Sequence, residues 1–278
     1  MKQNIRIIAL DLDGTLLNSN KELTDRNYKA LERASREFGI EIVPCTGRFY
    51  SAVPQVIKDL PFVHYAITSN GAQVEDVREH TVLYKAGIPW NEALEIFDFY
   101  DTFECLRDCT MDDNGWIDES SVPLIEEFLP NEHYIRLYHE CRTPVPDLRE
   151  FVRERKEDIL KTQIFVKDRE LQEELLRSMP GMFPDTMVSS SVINNVEINH
   201  VNAQKGKAIW FLADLIGCDR SATMAFGDGL NDVGMIRDAG TGVCMENGCE
   251  ESKAVADIIA PSCDEDGVAY IVEKLMEE

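Results

Sequence analysis

Apolar and polar positions alternate between two rhythms along the first seventy residues. The run IRIIAL (5–10) is continuously apolar and reads as a buried strand. From Thr24, a suitable helix N-cap, the period lengthens: Tyr28, Leu31, Ala34 and Phe38 recur at helical spacing and Gly39 supplies a C-terminal stop. A second strand follows at IEIVPC (40–45), then a helix from Val53 to Leu60, then a third strand ending in AITSNGA (66–72). The last third repeats the scheme, with a helix at 205–216, the strand ATMAF (222–226), a helix near 232–238, the strand TGVCM (241–245), a short helix, DIIA (257–260) and a final helix to Leu275. Short apolar runs alternating with helices predict a parallel sheet built from βαβ units.

More than a hundred residues separate Gly71 from Lys205. Ordinary connections in such folds run to roughly 2–6 residues, so the middle must be a domain inserted into the first. It carries helical patterns at 91–101, 147–157 and 169–178 and strand-like runs at 104–110, 134–139, 160–166, 186–191 and 194–198. The expectation is a discontinuous core, 1–86 with 199–278, and an α+β lid with an antiparallel sheet over 87–198.

Charge narrows the choice of partner. The chain has 28 basic and 51 acidic residues, a net of −23. Residues 87–198 hold 11 basic and 25 acidic residues, a local excess of −14. So acidic a surface repels polyanions, which argues against nucleic acid and against an anionic membrane. No apolar run approaches the roughly 18 residues that span a bilayer, and the N-terminal stretch lacks the pattern of a secretory signal, so a soluble cytoplasmic protein is expected. The eight cysteines are scattered without CxxC or Cys/His ligand spacing. Even Cys105 and Cys109 lack a second ligand pair nearby, and all eight read as reduced thiols.

The first strand runs straight into DLDGTLL. Residues two apart on a strand face the same way, so Asp11 and Asp13 both point into whatever lies at its carboxyl end, and Leu12 faces away. Two carboxylates about 5 Å apart repel by ~3 kcal/mol at an effective dielectric of about 20, which a bound cation relieves. Ligands of open parallel sheets bind beyond the carboxyl ends of the strands. Two more polar clusters fall at such ends. Thr46-Gly47-Arg48 offers a hydroxyl and a glycine amide to a phosphate oxygen, though Thr-Gly is also an ordinary turn. In Gly227-Asp228-Gly229-Leu230-Asn231-Asp232, Asn231 or Asp232 reads equally as a helix N-cap, whereas Asp228 sits between glycines at the strand end. Lys205 opens an amphipathic helix, where the macrodipole opposes a cation by about 0.3–1 kcal/mol. A local rule broken at a strand end marks it as a functional candidate.

DLDGTLL (11–17), CTGR (45–48), SNGA (69–72), NAQKGKA (202–208) and FGDGLND (226–232), in this order, resemble the motif set of the haloacid dehalogenase superfamily. The large insertion, with GVCMENG (242–248) and DEDGVA (264–269), is similar to its Cof-type, sugar-phosphatase-like branch, although Glu246 stands where that branch tends to have glycine. The resemblance implies an α/β fold, a Rossmann-like parallel-sheet core with an inserted α+β cap, and a Mg2+-dependent phosphatase. In that scheme Asp11 attacks phosphorus and becomes an aspartyl phosphate, and Asp13 is the acid and base, a role that calls for a raised pKa. The metal is held by the Asp11 carboxylate, the Asp13 backbone oxygen and Asp228, with Asp232 behind them. Lys205, Thr46, the amides of Leu12 and Gly47, and Asn231 contact the phosphate, Asn231 doing so or supporting the lysine. The implied substrate is a small phosphorylated metabolite, a sugar phosphate foremost, with no nucleic acid or membrane partner; the sequence does not set the oligomeric state. A phosphomutase of the same superfamily and a non-catalytic metabolite sensor are the alternatives.

Overall fold

The computed structural model describes residues 5–129 and 131–277. Two compact units emerge, one of Met1–Arg48, Val53–Tyr84 and Gln204–Glu278, the other of Phe49–Ala52 and Lys85–Ala203. Strands are numbered here in chain order. No helix among the described residues is long and apolar enough to cross a membrane.

In the first unit, β1 (Ile7–Leu10), β2 (Glu41–Pro44), β12 (Thr223–Gly227), β13 (Thr241–Met245) and β14 (Ile258–Ala260) form one parallel sheet in the order β14-β13-β12-β1-β2. Every residue of β1, β12 and β13 is buried, as expected of central strands covered on both faces. A small antiparallel sheet of β3 (Tyr65–Thr68), β4 (Gln73–Asp76) and β5 (Thr81–Lys85) adjoins β2 through single parallel bridges, Ile42 to Val63 and Cys45 to Ile67.

The helix Asp25–Phe38 has the ends its sequence predicts. Thr24 Oγ1 accepts from the Asn27 amide, and Gly39 turns the chain out at φ 66° with its N–H on the Ala34 and Ser35 carbonyls. Its buried face is Asn27, Ala30, Leu31 and Ala34, whereas Tyr28 is half-buried and Phe38 is 47% exposed. Asn27 serves as a bridge, donating to the Leu16 carbonyl and accepting from the Ala269 amide, which satisfies its amide group inside the core. The helix expected from Val53 to Leu60 shrinks to the single turn Gln55–Lys58. Pro54 disfavours helical geometry at Val53 before it and so delays the start.

In the second unit, β6 (Leu106–Met111), β7 (Asn114–Asp118), β8 (Arg142–Val145), β9 (Lys161–Phe165), β10 (Thr186–Ser189) and β11 (Asn195–His200) form a sheet in the order β10-β11-β9-β6-β7-β8. Neighbours are antiparallel except β7 and β8, which run parallel. One face carries Cys109, Met111, Ile164, Val196 and Ile198 into a core with Phe97, Val152 and Leu175 from the helices Trp90–Tyr100, Leu148–Arg155 and Arg169–Met182. Residues 134–139, expected as a strand, lie instead in the helix Glu132–Cys141. Asn131 caps it by accepting from the Tyr134 amide, and Tyr134, Ile135 and Tyr138 then share one helical face against Phe165 and Leu106 on the other side of the sheet. The hairpin of β6 and β7 was not anticipated, because its two-residue loop, Asp112-Asp113 at φ 54° and 51°, lacks the glycine that usually marks such a turn.

Candidate active site

The site grows out of the sheet register. Leu10 at the end of β1 pairs with Phe226 on one side and Pro44 on the other, so the residues that follow all three strands emerge together. The Asp11 amide still bonds to the Phe226 carbonyl at 3.0 Å, the Cys45 amide to Leu10 at 2.7 Å, and the Thr46 amide to Ile67 at 2.9 Å. Asp11, Thr46 and Asp228 therefore stand at the rim of one crevice.

Lys205 reaches this point from the first turn of its helix, with its side chain wholly buried. Its ammonium lies 2.7 Å from Asp11 Oδ1 and 2.6 Å from Asp232 Oδ1. The two carboxylates answer the question raised by a cation at a helix N-terminus: their attraction outweighs both the macrodipole and the desolvation of the charge. Burial by itself would lower the Lys205 pKa, but Asp11 and Asp232 drive it well above the ordinary lysine value. Close approach of this helix depends on Gly71, at φ 92°, where a Cβ would strike the Gln204 and Lys205 backbone.

Asp232 has both oxygens committed. Oδ1 takes Lys205, and Oδ2 accepts the Asp228 and Gly229 amides at 3.0 and 2.9 Å, which fixes the turn that carries Asp228. Of the two roles expected of Asn231, phosphate contact or support of the lysine, its side-chain amide is turned to Asn70 and not to Lys205. The short turn Leu230–Asp232 buries Asp232 and leaves Asn231 half-buried, with its amide on Asn70 Oδ1 at 3.2 Å. Asp228 Oδ1 accepts from the Thr15 hydroxyl at 2.7 Å. Gly14 lets the two loops meet, since its φ of 95° suits glycine and a Cβ there would collide with Asp228 Oδ2.

One oxygen from each of Asp11, Asp228 and Asp232 lies within 4.8 Å of the others. Burial, offset in part by Lys205 and reinforced by Asp232 and Asp228, raises the Asp11 pKa well above the carboxylate range. Burial, then Asp232, pushes Asp228 up to about 7. Three carboxylates facing one lysine thus carry more negative charge than the protein neutralises. An all-oxygen donor set of this kind suits a hard divalent cation such as magnesium. Because both Asp232 oxygens are engaged, Asp11 and Asp228 are the side chains of this group that could hold such an ion.

Asp13 sits differently from the expectation. Arg48 grips it at both oxygens, Nε to Oδ2 at 2.8 Å and Nη2 to Oδ1 at 2.9 Å, and Lys21 lies 3.1 Å from Oδ1. Burial works to raise its pKa, but Arg48 and then Lys21 overrule it and hold the group at about 2. The raised pKa expected of an acid catalyst is absent in this state, for want of a negative neighbour strong enough to oppose two cations. Thr46 is buried, and its hydroxyl accepts the Arg48 amide at 3.2 Å. The Arg48 carbonyl takes the Ser69 amide and the Thr46 carbonyl the Asn70 amide, which places Gly47 beside Asn70 and Asn231. Leu12 is fully buried. Thr15, Lys21 and Asn70 were not singled out in the sequence, since their partners lie far from them along the chain or, for Lys21, in a polar loop that carries no pattern.

With that geometry in place, the wider comparisons can be read. The family model of the haloacid dehalogenase-like hydrolases matches residues 8–272. The phosphatase YwpJ of Bacillus subtilis is 29% identical over 297 residues, covering 98% of this chain and 100% of that protein. The 5-amino-6-(5-phospho-D-ribitylamino)uracil phosphatase YcsE of the same organism is 28% identical, covering 97% and 95%. The solved structure of a haloacid dehalogenase-like hydrolase from B. subtilis superimposes with a TM-score of 0.86 at 26% identity, covering 97% of this chain and 99% of the other. The chain belongs to the haloacid dehalogenase-like hydrolases and is an enzyme of their phosphatase kind.

Proposed function

We propose that this enzyme hydrolyses a small phosphate monoester, a sugar phosphate foremost, through a phosphorylated Asp11, with Mg2+ as its metal. The observation that carries the reading is the meeting of Asp11, Asp228 and Asp232 around Lys205 at the carboxyl ends of three adjacent parallel strands. Asp11, the Asp13 backbone oxygen and Asp228 would hold a magnesium ion, whose positive charge would keep both carboxyl groups ionised and offset their repulsion of a phosphate dianion.

The chain's own residues account for the remainder. An Asp11 oxygen attacks phosphorus, the bond to the leaving oxygen breaks, and Asp13 gives that oxygen a proton. Water then attacks the phosphoryl group while Asp13 takes its proton, and inorganic phosphate leaves a regenerated Asp11. Lys205 remains charged throughout and lowers the cost of bringing two anions together. Thr46, the amides of Leu12 and Gly47, and Asn231 orient the phosphate oxygens. For Asp13 to act, the Arg48 fork must open, because a carboxylate held at both oxygens has no place for a transferable proton. The core of 1–86 with 199–278 does the chemistry, and 87–198 is an inserted lid domain. Its net of −14 argues for a leaving group that is uncharged or cationic.

Release of phosphate from an aryl phosphate, with and without a divalent cation, tests the reading. Turnover that appears with magnesium and disappears on chelation is expected; turnover indifferent to cations would overturn it.

A further inference from the structure

The two oxygens of the Asp13 carboxylate are held unequally. Among the described residues, Oδ2 accepts from Arg48 Nε only, at 2.8 Å, whereas Oδ1 takes both Arg48 Nη2 at 2.9 Å and the Lys21 ammonium at 3.1 Å. Opening of the Arg48 fork therefore frees Oδ2 and leaves Oδ1 on the lysine. The Asp13 side chain keeps 26% of its surface exposed, so a substrate in the crevice can reach the group once it is released.

The loop that carries Lys21 is built to stay in place. Lys21 has φ 64°, a left-handed backbone that residues with a β-carbon seldom adopt, and such strain persists only where the surroundings over-determine it. Here they do. The Lys21 amide donates to the Asn18 carbonyl at 2.9 Å, the Asn18 amide to the Glu22 carbonyl at 3.0 Å, and the Glu22 amide to Asn18 Oδ1 at 2.9 Å, which closes the turn on itself. Two aspartates of the DEDGVA stretch then anchor it within the same unit: the Ser19 amide donates to Asp264 Oδ1 at 2.8 Å, and the Thr24 hydroxyl to Asp266 Oδ1 at 2.5 Å. A lysine serving only as a solvated surface charge needs none of these ties.

We propose that Lys21 is the positioning residue of Asp13: it keeps hold of Oδ1 when Arg48 lets go, and Oδ2 is the oxygen that moves the proton. This rests on the reading above that Asp13 is the acid and base of a phosphatase. In the first step the proton passes from Oδ2 to the leaving oxygen as that oxygen's bond to phosphorus breaks. In the second, water's oxygen bonds to phosphorus and its proton passes to Oδ2. A carboxyl group tethered at neither oxygen turns freely about its side-chain bonds, and a misplacement of about 1 Å at a reacting group costs roughly a hundredfold in rate. Lys21 acts through Asp13 and not on the substrate.

The test uses the full-length enzyme with magnesium and two esters of similar shape, nitrophenyl phosphate, whose leaving group departs without a proton, and phenyl phosphate, whose leaving group needs one. The quantity compared is kcat/KM, which covers only the steps up to phosphorylation of Asp11. Lys21→Met should lower it by about 10- to 100-fold on phenyl phosphate and by less than about threefold on nitrophenyl phosphate, and Lys21→Arg should restore most of the phenyl ester's rate. In an Asp13→Asn background, Lys21→Met should cost nothing further on either ester. Equal losses on both esters in Lys21→Met, no loss on either, or a further loss in the Asp13→Asn background overturns the positioning role and leaves the phosphatase reading standing. Should circular dichroism show Lys21→Met to be unfolded, Lys21→Gln takes its place with the same outcomes. Turnover of neither ester by the wild type overturns the phosphatase reading, and the positioning role falls with it.

Discussion

Arg48 holds Asp13 by both carboxylate oxygens, at 2.8 and 2.9 Å, with Lys21 adding a third contact at 3.1 Å. The pairing keeps an anionic carboxylate stable beside two others. Removing Arg48 leaves that partly buried charge with Lys21 as its remaining cation, which costs about 1–3 kcal/mol. Urea unfolding of Arg48→Met, Asp13→Asn and the double variant forms a cycle that isolates the pair. The expected coupling is about 1–3 kcal/mol, because the bond is bidentate and charge-assisted. A coupling near zero would mean that the fork contributes only geometry.

The three crowded carboxylates destabilise the protein when no cation balances them. Asp228→Asn should therefore raise the melting temperature measured in chelator. Magnesium should raise that of the wild type by mass action, by about 2.7 kcal/mol of stability at a hundred times the dissociation constant, and should have little effect on the variant. Equal magnesium effects on both proteins would remove Asp228 from the metal's ligands.

Thr15 orients Asp228 through a 2.7 Å hydrogen bond and is expected to act through it alone. Thr15→Val should weaken magnesium activation by roughly 10- to 100-fold in the half-saturating concentration, with kcat largely recovered at saturating metal. A loss of kcat that excess magnesium does not repair would place Thr15 in the chemistry itself.

Burial pushes the Cys105 thiol up to about 12, and buried Cys109 is raised as well. In the unfolded chain a thiol ionises near pH 8.5. The folded state therefore holds these protons more tightly, and stability falls as pH rises from about 8.5 toward 12. At pH 8 both thiols are almost wholly protonated and unreactive. Labelling with a thiol reagent, read by mass spectrometry, should spare buried Cys109, reach half-buried Cys105 only slowly in the native protein, and reach all eight cysteines in denaturant. Prompt native labelling of Cys109 would contradict its burial.

These contrasts show where sequence is informative. The helix Asp25–Phe38 was legible end to end because its signals, Thr24 and Gly39, are local. The segment 134–139 was not, since alternation and helical spacing coincide over six residues and the deciding cap, Asn131, lies outside it. The strand-end carboxylates were visible through period and position. Their partners were not: Lys205 reaches Asp11 across 194 positions and Thr15 reaches Asp228 across 213, so only the folded sheet brings them together. The grip of Arg48 on Asp13 was hidden for the same reason, and with it the low pKa of that group.

The central claim, that Asp11 carries the phosphoryl group, is tested most directly by acid-quenching the enzyme during turnover and mapping its peptides by mass spectrometry. Asp13→Asn is the protein of choice, because with an activated leaving group the first step needs no proton and the phosphorylated form should accumulate. The account predicts one added phosphoryl group on the peptide that contains Asp11, absent when Asp11→Asn is also introduced. A phosphoryl group found on another residue, or an Asp11→Asn enzyme that keeps full activity, would contradict it.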